Sequence, residues 1–248
     1  MTPQTLASDL VPVPGFEGTP YALLRGRIVW AGRHAVTDHP RNLHRPWQPV
    51  RLRLSPLRLR QGAAGLQRDL FEGGNGLEVR GLLLWLCGRP LPFPLHLAQG
   101  RFDAVRSALN ARNLPAFEAA ALRVLGLGHG LTPSGDDFIG ALFFTLRHVP
   151  MAAWRARMPA VRARLLAAAT ASNHPATNPI SAALLDDLMA GRSYRALHDL
   201  LAALHQGHPD TLQAATQALL AVGASSGADM LAGVLLALQT PVPTHFVE

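Results

Sequence analysis

The stretch that decides the fold is Gly126-Leu127-Gly128-His129-Gly130-Leu131-Thr132-Pro133-Ser134-Gly135-Asp136-Asp137. Its four glycines permit positive φ angles and let a ligand approach the backbone closely. We expect Ser134 to be a helix N-cap, which places Gly135, Asp136 and Asp137 in the first helical turn. The free N–H groups of such a turn form an anion site. The stretch therefore predicts a glycine-rich loop that opens a helix and offers a binding site.

A second copy of this helix start follows 92 residues later as Ser226-Gly227-Ala228-Asp229. Each copy leads into small and apolar residues, which would let two helices approach closely. We expect the two turns to meet in space and to line one cleft. Helix capping alone explains Ser134 and one aspartate, because both residue types stabilise a helix start. It explains neither the glycine density nor the second copy, so a functional site is the favoured interpretation.

Three aspartates are the candidate catalytic groups: Asp136, Asp137 and Asp229. Carboxylates beside an anion site repel the anion, and a hard cation such as Mg²⁺ would resolve the conflict by bridging carboxylate and phosphate oxygens. Alternatively, the aspartates bind a donor such as an amide, or hold the loop. A first-turn aspartate contributes only about 0.3–1 kcal/mol through the helix dipole. Asp136→Asn or Asp137→Asn is therefore expected to remove function with little loss of stability.

A third polar cluster, Thr177-Asn178-Pro179-Ile180-Ser181, precedes another predicted helix. Capping accounts for one of its polar side chains, whereas the whole cluster suits an uncharged carbamoyl or carboxamide group, and both interpretations stay open. His129 is either a ligand contact, a proton-transfer group or a tolerated loop residue. The predicted substrate-binding residues are Gly128, His129, Gly130, Thr132, Ser134, Gly135, Thr177, Asn178, Ser181, Ser225, Ser226 and Gly227.

The residue pattern of the sequence changes from strand-like to helix-like near residue 95. Residues 96–248 carry Ala- and Leu-rich helical patterns punctuated by proline at the starts and glycine at the ends, which predicts a helical bundle-like domain. Residues 1–95 are expected to form a β-rich domain, with strand candidates at Tyr21–Trp30, Val50–Arg60 and Leu77–Cys87. The predicted fold class is α+β, an N-terminal β-rich domain followed by a C-terminal helical one.

Composition excludes several classes of protein. All 23 basic residues are arginine, so the chain has neither a Schiff-base lysine nor a P-loop lysine. The longest apolar run, Leu82 to Cys87, is six residues, far below the roughly 20 that cross a membrane. The single cysteine cannot form an internal disulfide, and a cytoplasmic location is expected. The net charge of +7 reflects an arginine-only composition, and the Arg-rich segment 41–60 is expected to be a solvated face rather than a nucleic-acid site.

Gly223-Ala224-Ser225-Ser226-Gly227 matches the nucleophile elbow of serine hydrolases. That motif needs a preceding strand and acidic and histidine partners further along the chain. Here a helix pattern precedes the motif, and only His245 follows it. A serine hydrolase is therefore not favoured.

Three motifs, in this order, resemble a bacterial family that includes a subunit of the oxamate carbamoyltransferase of allantoin breakdown. They are the stretch 126–137, Thr177-x-x-x-Ser181-Ala182-Ala183-Leu184-Leu185, and Gly223-x-Ser225-Ser226-Gly227-Ala228-Asp229-Met230-Leu231-Ala232-Gly233. The resemblance covers roughly residues 120–240, and this chain has His129 where the family usually has proline.

The resemblance implies carbamoyl transfer between oxamate and phosphate, with carbamoyl phosphate as the phosphorylated partner. It also implies a small anionic substrate and a complex of different subunits. Two alternatives stay open on the residues alone. One is a metal-dependent hydrolase that uses Asp136, Asp137 and Asp229, and the other is a non-catalytic subunit that binds a small molecule.

Overall fold

The computed structural model describes residues 9–33, 38–48, 53–73, 76–149, 154 and 156–239. A small sheet comes first, with strands β1 (Leu10–Pro12), β2 (Tyr21–Leu24) and β3 (Arg27–Trp30). Helices then follow, with a short 3₁₀ turn at Leu95–Ala98. The α-helices are α1 (Pro56–Glu72), α2 (Leu82–Leu86), α3 (Gln99–Asn110), α4 (Leu114–Leu122), α5 (Ser134–Leu146), α6 (Met158–Ala169), α7 (Pro179–Met189), α8 (Arg195–Gln206), α9 (Pro209–Leu220) and α10 (Ser226–Gln239).

The three strands form an antiparallel sheet in the order β1-β2-β3. Strands β2 and β3 form a hairpin in which Tyr21 pairs with Trp30. Its two turn residues, Arg25 and Gly26, have φ angles of 51° and 76°. Positive φ at both turn positions is typical of the two-residue hairpin turn that matches strand twist. The strand prediction for Tyr21–Trp30 is thus confirmed, with a turn in its middle, and the α+β fold class is confirmed as well.

The strand prediction for Val50–Arg60 is wrong from residue 56 onward, and residues 50–52 lie outside the described residues. Helix α1 begins there because Ser55 caps it, accepting a hydrogen bond from the Arg58 N–H at 3.5 Å, and Pro56 occupies its first position. A period-two alternation of only four residues cannot outweigh the helical stripe that continues beyond it. The buried residues of that stripe are Leu59, Ala63, Leu66 and Leu70.

The strand prediction for Leu77–Cys87 is also wrong, because its apolar half forms the short buried helix α2. A short apolar run has no periodicity that separates a buried strand from a buried helix. Within the first 95 residues, the described part therefore forms a small sheet and two α-helices.

Helices α5 and α10 form the centre of the molecule. Nearly every residue of both is buried, from Ser134 to Thr145 and from Gly227 to Leu238. Gly233 faces α5 so closely that a Cβ atom there would lie 2.3 Å from the carbonyl oxygen of Phe138. The close helix approach that the small residues predicted is thus present.

The remaining helices surround this central pair. Helix α7 packs on α5, and α1, α2 and α9 pack on α10. One hydrophobic cluster runs from Leu59 to Leu238, so it crosses the predicted domain division at residue 95, which stays a prediction. Among the described residues, no helix is both long and apolar enough to cross a membrane.

The sheet is fastened to α7 by apolar and ionic contacts. Ile28 and Trp30 pack with Ile180 and Leu184 in a separate small cluster. The Arg41 guanidinium forms an ion pair with Asp187, and their side chains are 10% and 2% exposed. It also donates hydrogen bonds to the Ile28 and Ala183 carbonyl oxygens. Part of the Arg-rich segment is therefore an internal clamp that holds the hairpin in place.

Candidate functional site

The two Ser-Gly-x-Asp turns lie together and act on each other's carboxyl groups. Ser134 of the first turn lowers the pKa of Asp229 in the second, and Ser226 of the second lowers the pKa of Asp137 in the first. The start of α5 also meets α10 along the most extensive helix contact in the described structure. The two turns are thus neighbours, and the hydroxyl of Thr132, just before the first turn, lies 2.8 Å from that of Ser226 in the second. That they share one functional site stays a prediction.

The predicted capping role of Ser134 is wrong. Pro133 is the N-cap residue of α5, and its carbonyl oxygen accepts hydrogen bonds from the Asp136 and Asp137 N–H groups. Ser134 is the first helical residue and is buried. Its hydroxyl is therefore free to cross to Asp229 instead of capping its own helix.

The glycine of each turn allows the turn to contact the end of the preceding helix closely. A Cβ atom on Gly135 would lie 1.8 Å from the carbonyl oxygen of Val124, and one on Gly227 would lie 1.9 Å from that of Leu219. The Gly135 and Gly227 N–H groups also donate backbone hydrogen bonds of 2.9 Å back to the preceding loop. Glycine is required at both positions because no side chain fits there.

Asp136 organises the glycine-rich loop. Its carboxylate accepts hydrogen bonds from the Gly126 N–H at 2.8 Å, from the Ser181 hydroxyl at 2.6 Å and from the Thr177 hydroxyl. Burial raises the pKa of Asp136, and these three hydrogen bonds oppose that shift. The carboxylate joins the loop to the start of α7, which is the loop-holding role that the sequence left open.

The third polar cluster is engaged within the protein. Asn178 caps α7, where its side-chain oxygen accepts the Ser181 N–H at 3.0 Å, and its amide nitrogen donates to the Leu131 carbonyl oxygen at 3.0 Å. Thr177 and Ser181 donate to Asp136, as above. These contacts account for all three side chains without a ligand, and none of the three lines the site pocket described below.

Asp137 and Asp229 form a buried carboxyl pair, being 5% and 0% exposed. Burial raises the pKa of both groups, and the charge of Asp229 raises the pKa of Asp137 further. The Leu82 N–H donates to Asp229 at 2.8 Å, and the positive charge of Arg80 also favours its ionised form. Two like charges disfavour each other in so dry a site, and the donors around Asp229 favour ionisation there over ionisation of Asp137.

A pocket of about 420 Å³ lies in front of this pair, and we call it the site pocket. Its walls are the β2–β3 hairpin, the glycine-rich loop, the second Ser-Gly-x-Asp turn and Tyr194. The predicted site residues that line it are His129, Gly130, Thr132, Ser225 and Ser226. The other predicted site residues lie outside that lining.

One wall of the site pocket is aromatic, and sequence reasoning missed it. Tyr21, Trp30 and Tyr194 line this wall, with the Tyr21 and Trp30 rings 5.5 Å apart and the Trp30 and Tyr194 rings 6.0 Å apart. Burial raises the pKa of Tyr21 and raises that of Tyr194 well above its ordinary range, and each phenol also shifts the pKa of the other. The sequence marks Tyr21 only as a strand residue, so no local signal links it to the glycine-rich loop.

The described residues do not form a metal site. No group of three or more His, Cys, Asp or Glu side chains among them converges as a set of metal ligands. Asp136 points its oxygens at Gly126, Thr177 and Ser181, away from such a set. The donor arrangement therefore does not fit Mg²⁺ held by the three aspartates.

A second, largely apolar pocket of about 290 Å³, lined by Phe143, Trp154 and Met158 among others, shares no residue with the site pocket.

Comparison with known proteins points to one family. No curated protein and no solved structure matches the chain. Residues 124–238 match the family model described as oxamate carbamoyltransferase subunit AllH, a span that starts just before the glycine-rich loop and ends within α10. This match confirms the resemblance that the three motifs predicted, and it identifies residues 124–238 as similar to the oxamate carbamoyltransferase subunit AllH family.

Proposed function

We propose that this chain is a subunit of an oxamate carbamoyltransferase-like complex that moves a carbamoyl group between oxamate and phosphate. The family match supports a subunit role in such a complex. The observation that carries the proposal is the site pocket, where the hydroxyl groups of Thr132 and Ser226 lie beside the backbone of the glycine-rich loop. Carbamoyl transfer depends mainly on positioning two small substrates and on stabilising charge, and this surface is suited to positioning.

The lining of the site pocket is poor in positive charge. Among the described residues that line it, none is arginine, and His129 is the only side chain that could carry a positive charge. Oxamate and carbamoyl phosphate are both anions, and the carboxyl pair beneath the pocket adds negative charge. We infer that arginines of a partner subunit complete the site, so the chain alone binds its substrates weakly.

The test compares the purified chain with the chain co-expressed with the products of neighbouring genes. We expect carbamoyl phosphate to be consumed with oxamate as acceptor only in the co-expressed preparation. Efficient turnover by this chain alone would contradict the subunit role. Absence of turnover in every combination would contradict carbamoyl transfer.

A non-catalytic binding subunit is the second candidate. It is favoured by one observation, namely that the described lining of the site pocket holds no charged group beside a serine or threonine hydroxyl. Single-turnover kinetics separate the two functions. Substitutions at Ser226 change only substrate affinity if the chain merely binds, whereas they slow the transfer step if the chain takes part in it.

A further inference from the structure

Two hydroxyl groups separate the site pocket from the buried carboxyl of Asp137. The Thr132 and Ser226 oxygens are 2.8 Å apart, and both residues line the pocket. Both hydroxyls act on Asp137 and lower its pKa. The Oδ2 atom of Asp137 is buried and has no hydrogen-bond partner among the described residues. Asp137, which is only 5% exposed, therefore lies behind a pair of hydrogen-bonded hydroxyls that face the pocket.

We propose that Asp137 exchanges a proton with the substrate in the site pocket through the hydroxyls of Ser226 and Thr132. This inference rests on the proposed carbamoyl transfer, and it assigns Asp137 a role that acts through the two hydroxyls without touching the substrate. A serine or threonine hydroxyl can accept a proton on one side while it releases its own on the other. The pair can therefore pass a proton without either residue becoming a lasting ion.

The transfer chemistry needs such a proton. In the direction that makes carbamoyl phosphate, a phosphate oxygen forms a bond to the carbamoyl carbon, and the bond from that carbon to the oxamate nitrogen breaks. The departing nitrogen then takes up a proton, which Asp137 supplies through the hydroxyls. The proton lost by the attacking phosphate returns to Asp137. In the opposite direction every step reverses, so the amide nitrogen of oxamate gives its proton to the same group.

The surroundings assign the proton to Asp137 rather than to Asp229. The Oδ1 atom of Asp229 accepts the Leu82 N–H, while its Oδ2 atom, like that of Asp137, has no hydrogen-bond partner among the described residues. Ser134, Ser225 and Arg80, in the loop before α2, lower the pKa of Asp229. These groups stabilise a negative charge on Asp229. Asp137 faces that charge from α10 and a second carboxyl, Asp136, on its own helix.

On its remaining side Asp137 faces neutral groups. These are the Thr132 and Ser226 hydroxyls and the phenols of Tyr21 and Tyr194. The largest influences on Asp137 thus include two carboxylates and two hydroxyls, whereas a backbone N–H and Arg80 act on Asp229. These surroundings favour a proton on Asp137, the carboxyl behind the hydroxyl pair, over one on Asp229.

The first test is spectroscopic and uses the purified full chain without substrate. Infrared difference spectra at pH 7 should show the C=O stretch of a protonated carboxyl group that disappears in Asp137→Asn. The band should persist in Asp210→Asn, a matched control that changes an exposed first-turn aspartate of α9. Far-ultraviolet circular dichroism checks that each variant is folded. A spectrum without this band, or a band that Asp137→Asn leaves in place, would overturn the inference whatever the activity of the complex.

The second test is kinetic and uses the assembled complex. Asp137→Asn should lower kcat by about 10²–10⁴-fold, as expected for loss of a proton-transfer group. The conservative variants Ser226→Ala and Thr132→Val should keep the infrared band and still lower kcat, with their effects not additive. A kcat that stays unchanged in both hydroxyl variants would overturn the relay. If the wild-type complex shows no carbamoyl transfer, the proposed function fails, and the infrared result still decides where the proton resides.

Discussion

Asp136→Ala is predicted to destabilise the fold strongly, because this carboxylate joins the glycine-rich loop to α7. The substitution removes the acceptor of three donors, namely the Gly126 N–H and the hydroxyls of Thr177 and Ser181. Asp136 itself is 2% exposed, so water does not replace it.

The magnitude follows from those three donors. A buried donor left without a partner costs about 1–3 kcal/mol. The two hydroxyls can rotate toward other acceptors, whereas the Gly126 N–H cannot. The variant also no longer has the desolvation cost of a buried carboxylate, which reduces the net loss. We therefore expect a loss of about 3 kcal/mol in the free energy of unfolding. Asp210→Ala, in an exposed first turn, should lose only about 0.3–1 kcal/mol through the helix dipole.

Urea unfolding followed by circular dichroism measures both variants. The free energy of unfolding should fall with urea concentration at the same slope in both variants, so that the shift of the midpoint reports the change in stability. The reasoning would be refuted if Asp136→Ala lost no more than Asp210→Ala. In that case Asp136 would be a first-turn residue of the kind that the sequence alone suggested, with little effect on stability.

Three further predictions concern packing, acid stability and the hairpin clamp. Gly227→Ala should lower the free energy of unfolding by about 3 kcal/mol, because its Cβ atom would lie 1.9 Å from a carbonyl oxygen. The control Gly65→Ala, where a Cβ atom in α1 meets open space, should raise it by up to about 1 kcal/mol. Thermal unfolding measures both variants, and equal effects would contradict the close approach at Gly227. Burial lowers the pKa of His198 to about 4, so between pH 8 and pH 5 this histidine gains a proton in the unfolded chain but stays mostly neutral in the folded protein. The free energy of unfolding should therefore fall by about 2 kcal/mol over this range. His198→Phe should abolish that part of the pH dependence. Arg41→Met should lower the free energy of unfolding measured in urea by about 3 kcal/mol, because the buried Asp187 loses one of its two arginine partners. A loss below about 1 kcal/mol would show that the Arg41–Asp187 ion pair contributes little to stability.

The sequence predicted the helical part of the fold well, since its signals there are local. Proline and glycine mark helix boundaries by restricting or freeing φ, so α7 begins at Pro179 after the cap residue Asn178, as expected. The repeat of Ser-Gly-x-Asp together with small residues indicated that α5 and α10 meet. The N-terminal prediction was weaker because short apolar runs form buried helices as readily as strands, and tertiary packing decides between them.

The contacts that define the candidate site could not be predicted from the sequence. Ser134 acts on Asp229 of the other turn instead of capping its own helix, and this depends on how the two helix starts are juxtaposed. Tyr21 reaches the site pocket because Arg41 and Asp187 clamp the hairpin onto α7. Asp136 and Asp137 are neighbours with the same side chain, yet one holds a loop and the other lies behind the pocket. Only the surroundings of each carboxyl distinguish them.

The most direct measurement of the central claim is a structure of the assembled complex with oxamate bound. We predict that oxamate lies in the site pocket, within hydrogen-bonding distance of the Ser226 or Thr132 hydroxyl, with its carboxylate facing an arginine of a partner subunit. Oxamate bound away from both Ser-Gly-x-Asp turns, or in a site built without this chain, would contradict the claim that these turns form the substrate site.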